Sequence, residues 1–336
     1  MGLVHWAFPP VIGGVESHLW DYARRLDSAG YRVTVFTGTG GPRTPAAGVD
    51  VVRHRLLDLA TYRASGRAWN AWWTARLRTA VLRDFLWREV RRRGIGVLHG
   101  HNLHHFTPVV ARAVNGIGKG RLGSGRPLAR LHTLHSLWRD KADILAAEPC
   151  MKWERQYAVS DFIARDGREV LGVDARLTYL GIDGDAFPHS PLEARVPGRI
   201  VLPARLIPDK GGAFAIEALA LLRQRAHMLP PGVDPHLVLT HTPGALDFHD
   251  ERYGYRDRLD RLIREHGLDR HVEFVDGRTV DQMPALYAGA HVVAYPSIYP
   301  EPLGLAPLEA LCVGRPVVVT ATGGLAEGVR ELGGPC

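Results

Sequence analysis

Short apolar runs alternate along this chain with longer stretches whose apolar positions fall on one helical face, a pattern that predicts strands joined by crossover helices. Residues 3–7 form the first run, broken at Pro9-Pro10. Gly13-Gly14 follow, and then Leu19, Tyr22, Ala23 and Leu26 mark one face of a helix over residues 15–29, ended by Gly30. Residues 31–37 are the second strand, so the chain opens with a strand, glycine loop, helix, strand unit. Further strands are expected over 96–100 and 128–134, a helix from Val159-Ser160 to 171, and a segment over 177–183. The same alternation returns in the second half, with strands over 200–204, 237–241, 272–275, 291–295 and 316–320. Helices are expected over 213–225, 255–266, 280–287 and 303–312. Residues 40–50 read as a Gly/Pro/Ala-rich loop and residues 188–198 as an interdomain linker. Residues 53–93 have helical spacing, with Trp69, Trp72, Trp73 and Trp87 among many arginines. Two readings fit them: a helix with Trp on one face and Arg on the other lying on an anionic membrane, or a core-packed helix with a solvated cationic face.

At 336 residues, with 46% apolar and 23% charged residues, the chain is long for one core and too apolar for disorder, so two domains are expected. Cys150, Cys312 and Cys336 have neither metal nor redox spacing, which fits a reducing compartment. No leader and no membrane-length apolar run is found, so a cytoplasmic protein is expected. In residues 1–160, 24 Lys and Arg stand against 11 Asp and Glu, a net +13; residues 161–336 carry 18 against 24, a net −6. The basic half lacks nucleic-acid-binding patterns, which leaves an anionic acceptor or an anionic membrane surface as its partner.

The chemistry is densest over residues 295–320. A strand leads through a Pro-rich loop to Gly304 and a helix with Pro307 in its first turn; Gly314 then ends the helix and a β-branched run follows. Main-chain N–H groups at such a helix start favour an anion, and a phosphate suits them. Glu301 and Glu309, eight positions apart, suit instead the hydroxyls of a ribose and a second sugar. The stretch therefore reads as a sugar-nucleotide site, although two glutamates alone would more often be solvated surface charges. At the end of the strand over 200–204, Arg205 and Lys210 can converge on a diphosphate and meet the charge that its departure creates. His99, His101, His104, His105, His132 and His135 gather at two strand ends. None has the Cys or carboxylate spacing of a zinc site, so no metal is expected.

The segment from Pro296-Ser297 through Glu301, Gly304-Leu305 and Glu309 to Pro316-Val317-Val318 resembles the E-x(7)-E signature of the retaining glycosyltransferases of family 4, which have the GT-B fold. Leu303 replaces the usual Phe, and Tyr299-Pro300 is inserted. Arg205, Lys210 and Gly211 are similar to the family's G-R-x-x-x-x-K-G, with Ala204 for Gly. Thr133-Leu134-His135-Ser136-Leu137 is similar to T-x-H-D-L, and the Gly13-Gly14-Val15-Glu16 stretch to P-P-x-x-G-G-V-E. Leu180 stands where the family's N-G-I-D segment has Asn, ahead of Phe187.

This resemblance implies an α/β GT-B protein of two Rossmann-like domains with parallel sheets facing a cleft. Residues 1–190 would bind the acceptor and residues 191–336 the nucleotide sugar, the latter lacking the family's last elements. The implied activity is transfer of a glycosyl group from a nucleotide diphosphate sugar to a hydroxyl with retained anomeric configuration, without metal or other cofactor. The catalytic group would be His135, Arg205, Lys210 and Glu301. Donor contacts would come from Gly13, Gly14, Arg205, Lys210, Gly277, Arg278, Gly304, Leu305 and Glu309; the loop at Gly277-Arg278 would hold the base, and His101 would line the acceptor side. Other readings are an epimerase or phosphorylase-like enzyme on the same fold, or a non-catalytic sugar-nucleotide binding protein. Localisation is expected to be cytoplasmic, with peripheral attachment at the inner membrane face open.

Overall fold

The computed structural model describes the chain outside residues 10, 12, 40–47, 59–71, 104–107, 118–127, 138–143, 146–147, 242–253 and 332–336. Trp69, His104, His105, Cys336 and most of the expected loop at 40–50 lie outside the described residues. The chain divides into two units, Met1–Tyr179 and Leu180–Cys336.

The first unit is built on strands β1 (Gly2–Val4), β2 (Val33–Thr37), β3 (Val49–Arg53), β4 (Val97–His101), β5 (Ala129–Leu134), β6 (Arg155–Ala158) and β7 (Arg176–Leu177). They pair in the order β3-β2-β1-β4-β5-β6-β7, all parallel. Helices α1 (Gly14–Ser28), α2 (Trp72–Arg93), α3 (Val109–Asn115) and α4 (Asp161–Leu171) accompany the strands. Leu3, Val33, Val35 and Val49 from the sheet pack with Phe8 of the loop after β1 and with Leu19 and Ala23, the apolar stripe that the helical spacing of α1 provides.

The second unit has strands β8 (Arg199–Leu202), β9 (His236–His241), β10 (Val272–Asp276), β11 (Val292–Tyr295) and β12 (Val317–Val319), in the parallel order β10-β9-β8-β11-β12. Helices α5 (Gly212–Gln224), α6 (Tyr255–Glu265), α7 (Met283–Ala288), α8 (Leu305–Cys312) and α9 (Leu325–Glu331) complete it. Both faces of this sheet are apolar, as parallel strands require. Leu202, Leu237, Leu239 and Tyr295 face Ile216, Leu219, Leu259 and Ile263. Alternate positions Val201, Val238 and Val293 face Phe187, Leu286, Tyr287, Ala310 and Val313.

Residues 180–190 pack with the second unit, because Phe187 is part of its core and the buried Arg315 donates to the carbonyls of Ser190, Pro191 and Ala288. Residues 188–198, expected as the interdomain linker, are tied to the second unit where Ser190 N donates to Val313 O and Val196 N to Gly289 O. Helical structure does not run through 53–93: β3 ends at Arg53, a single 3-10 turn spans Arg55–Leu57, and the described helix starts at Trp72. On α2, Trp and Arg share one face. Leu82, Leu86 and Val90 are buried, whereas Trp73 (59% exposed), Leu77 (61%), Val81 and Trp87 look outward with Arg76, Arg88, Arg91 and Arg92.

Each sheet has one point where the strand order reverses, between β1 and β4 in the first unit and between β8 and β11 in the second. Loops leaving the carboxyl ends of those strands diverge and open a crevice there, the usual place for a ligand in such sheets.

Candidate functional site

In the second unit the switch point is flanked by the loop after β8, residues 203–211, and the loop after β11, residues 296–304. The first loop carries Arg205, turns once through Pro208–Lys210, and enters α5 at Gly211, whose φ is +74°. A Cβ at Gly211 would overlap Pro296 O, so only glycine lets the two loops touch. That contact brings Lys210 to Glu301. Their side chains, 12% and 8% exposed, form an ion pair through Nζ and Oε1. Ser297 Oγ lies 2.9 Å from Glu301 Oε1 and 2.9 Å from Asp209 O, and its one proton serves one of them at a time. Ile298 N donates to Asp209 O at 2.9 Å, and Gly324 N to Glu301 O at 2.7 Å, so the loop is braced on both sides.

Burial opposes the charge on Lys210, but the neighbouring Tyr295 and Glu301 outweigh it and raise its pKa. Burial also raises Tyr295, with Glu301 adding to the effect. Lys210 Nζ stands 5.7 Å from the centre of the Tyr295 ring. An ammonium has three hydrogens; Glu301 takes one and Tyr295 is a second partner, which leaves one that can serve an anion.

Gly304 has φ +82°, the left-handed geometry that lets the loop turn into α8, and Leu305 is the first helical residue. The helix N-terminus thus follows directly on Glu301. One turn further on, Glu309 accepts a hydrogen bond from the Tyr287 hydroxyl at 2.7 Å. Burial pushes Tyr287 well above the ordinary tyrosine range, and the Glu309 carboxylate pushes the same way, so the phenol keeps its proton and remains a donor. Gly277 N donates to His241 O at the end of β9, and Arg278 beside it is exposed.

The first unit gathers imidazoles at its own switch point. His5 follows β1, His99 and His101 close β4, His135 follows β5, and His18 comes from α1. His5 Nδ1 donates to His101 O at 2.8 Å, so the 3.2 Å contact between its Nε2 and Glu16 Oε1 needs a further proton, held by one partner or the other. His101 Nδ1 lies 2.9 Å from His135 Nε2, and His99 Nε2 lies 2.7 Å from Thr133 Oγ1. Asn102 has φ +49°, a conformation Asn adopts more readily than most residues. From there its Oδ1 accepts from His135 N at 2.9 Å and its Nδ2 donates to Ser136 Oγ at 3.0 Å, fixing the loop after β5. Gly13, in extended geometry, caps α1, and Gly14 is its first residue. Burial lowers every one of these imidazole pKa values that is displaced: His18 to about 4, His99 to about 3, and His101 and His135 well below the usual range, with the neighbouring histidines adding to the effect. Burial lowers His132 to about 4 as well.

The expected residues thus fall in two groups. Lys210 meets Glu301 directly, while Glu309, Gly304 and Leu305 share α8; Gly13, Gly14 and His135 belong to the other unit. His5, His18, Asn102 and Tyr287 carry no sequence signal of their own, and Ser297 is marked only as part of the signature segment. Carboxyl-end positions next to a switch point could have flagged His5 and Asn102, because the strand order alone places them there.

Residues 12–186 match the family model described as Glycosyltransferase Family 4, and residues 190–333 match Glycosyl transferases group 1. A GDP-mannose-dependent alpha-(1-6)-phosphatidylinositol monomannoside mannosyltransferase from Mycolicibacterium smegmatis is 27% identical over 365 residues, spanning 98% of this chain and 83% of that protein. Among solved structures, sucrose-phosphate synthase from Thermosynechococcus elongatus superposes with a TM-score of 0.69 at 19% identity, covering 96% of this chain and 82% of the other. The Anabaena protein HepE, in complex with UDP and glucose, gives 0.67 at 20%, covering 97% and 82%. Both likenesses are of fold.

Proposed function

The chain belongs to glycosyltransferase family 4 and has the GT-B fold, and from that membership we propose that it moves a glycosyl group from a nucleotide diphosphate sugar to an acceptor hydroxyl with retention of configuration. The observation that supports this most is the buried Lys210–Glu301 pair immediately before the start of α8. Leaving-group departure turns a diphosphate ester into a more highly charged anion while the sugar becomes oxocarbenium-like. Lys210, oriented by Glu301, supplies fixed positive charge for that anion, together with Arg205 and the N–H groups at Gly304-Leu305. Glu309, held by Tyr287, takes the ribose hydroxyls, and the loop at Gly277-Arg278 takes the base. Gly13, Gly14 and His135 keep the donor-side roles that the resemblance implies. No general base is assigned; the donor phosphate itself helps take the acceptor proton, and no metal enters the transfer step.

The outer face of α2 supports work at the cytoplasmic face of an anionic membrane. It carries Trp73, Leu77, Val81 and Trp87 beside four exposed arginines, and Arg91 sits 4.8 Å from the centre of the Trp87 ring. None of the described helices is long and apolar enough to cross a membrane. An exposed apolar and cationic helix face suits the headgroup boundary. The relative's name supplies the first substrates to try, GDP-mannose as donor and a mannosylated phosphoinositide lipid as acceptor. A thermal-shift screen of GDP-, UDP- and ADP-linked sugars, followed by assay of released nucleoside diphosphate, tests the proposal. At least one donor should raise Tm and be consumed when acceptor is present; no shift with any of them would count against it.

A further inference from the structure

Resting on the reading of His135 as a donor contact, we propose that His101 is a positioning residue. Its Nδ1–H donates to His135 Nε2 and so fixes the proton of His135 on Nδ1, the nitrogen left to meet the donor. The two nitrogens lie 2.9 Å apart, at the carboxyl ends of the paired strands β4 and β5. A single proton serves that contact, because burial, with the neighbouring histidines adding to it, keeps both rings neutral. His18, the third ring nearby, is lowered to about 4 and brings no charge near neutral pH. His101 has no exposed surface, so it reaches a ligand only through His135.

Two arrangements could share that proton, and they differ in what they leave unpaired. If His135 Nε2 held it, the proton of His101 would sit on Nε2, which is buried and has no partner among the described residues. An N–H would then be orphaned, and His135 Nδ1 would be a bare acceptor. If His101 Nδ1 holds it, only a lone pair of His101 goes unpaired and His135 Nδ1 becomes a donor. An orphaned buried N–H is the rarer defect, which selects the second arrangement. His99, two residues back on β4, follows the same rule: its Nε2 lies 2.7 Å from Thr133 Oγ1 while its Nδ1 has no partner among the described residues, so its proton belongs on Nε2. Donor chemistry agrees. Diphosphate oxygens only accept, so an imidazole that contacts them must present an N–H. The pair is also held in register, since His5 Nδ1 donates to His101 O at 2.8 Å and His135 N donates to Asn102 Oδ1 at 2.9 Å. The hydrogen bond at one ring nitrogen decides what the other can do.

The test is long-range proton–nitrogen NMR on the full chain with isotope-labelled histidine and no substrate, the His135 signals being those lost in His135→Gln. Wild type should show His135 protonated on Nδ1 and bare on Nε2. His101→Asn, whose amide N–H can stand where Nδ1–H stands, should keep that pattern, whereas His101→Leu should populate the Nε2–H tautomer. In turnover with a donor found by thermal shift, His101→Leu should lower kcat/KM by about 10–100-fold, the scale of one hydrogen bond to a charged group, and His101→Asn should recover most of the loss. A role in packing alone would leave Asn no better than Leu. Wild-type His135 protonated on Nε2, or a tautomer that His101→Leu leaves unchanged, would overturn the proposal. The wild-type spectrum requires neither a variant that folds nor turnover, so it can fail while the transfer reading stands. Wild type inactive with every donor would count against that reading and leave the spectrum as it is.

Discussion

The hydroxyl of Tyr287 donates to Glu309 Oε2 at 2.7 Å from a ring with no exposed surface, so the orientation of Glu309 is set from inside the core of the second unit. In the proposed site Glu309 would meet the ribose with one oxygen already fixed. Tyr287→Phe keeps the packing and removes the donor. A hydrogen bond to a charged group is worth about 1.5–3 kcal/mol, so nucleotide-sugar KM should rise about 10–100-fold with kcat little changed. Steady-state kinetics checks it. A fall in kcat at constant KM would mean that Glu309 acts on the transition state instead.

Lys210→Ala should lower kcat by about 100-fold or more, given the proposed role of Lys210 on charge that grows during departure of the diphosphate. It should also destabilise the fold by about 3–5 kcal/mol, because Glu301 is left buried without its cation. Lys210→Met combined with Glu301→Gln separates the two effects. Chemical denaturation should show most of the stability regained, while kcat stays low. Recovery of activity along with stability would make the pair structural only.

How far this was legible follows from where each feature is encoded. β11, its loop, α8 and β12 could be read in order because strand, glycine and helix signals are local there. β3 and β6 could not. β3 carries Asp50 and Arg53, β6 is Arg-Gln-Tyr-Ala, and both are strands because β2 and β5 offer them edges to pair with. The Lys210–Glu301 contact joins residues far apart in sequence, and no spacing rule reaches across that distance. The histidine group is likewise a product of strand order, which sets β1, β4 and β5 side by side. Trp73 and Trp87 show the opposite failure: size and apolarity suggested a core or a separate Trp face, and the register of α2 put them among the arginines instead.

Acid should unfold the first unit through its histidines. Their folded pKa values are lowered, to about 4 for His18 and His132 and about 3 for His99, from an ordinary value near 6.5. Below about pH 6.5 the unfolded chain binds protons that the folded chain refuses, so stability falls with pH until the folded rings titrate. Each such group contributes a slope of about 1.4 kcal/mol per pH unit in that window. Denaturant midpoints measured from pH 7.5 to 4.5 should decline steeply, and His99→Gln should flatten the slope by about one proton. A flat profile would mean these rings are solvated.

On α2, replacing Trp73 and Trp87 by Ala should abolish pelleting with vesicles rich in acidic phospholipid. Arg88→Glu with Arg91→Glu should do so at low salt as well, since exposed charge contacts are screened over about 10 Å at 0.1 M. Sedimentation of wild type that does not depend on vesicle charge or salt would remove the basic face from the account.

Transfer with retention from a nucleotide diphosphate sugar is tested most directly by the anomeric configuration of the product. The wild-type enzyme, incubated with the donor that gives the largest thermal shift and its acceptor, should yield one nucleoside diphosphate per glycoside formed. NMR of that glycoside should show an α linkage from an α-configured donor. A β-linked product, or donor consumed without any glycoside formed, would contradict it.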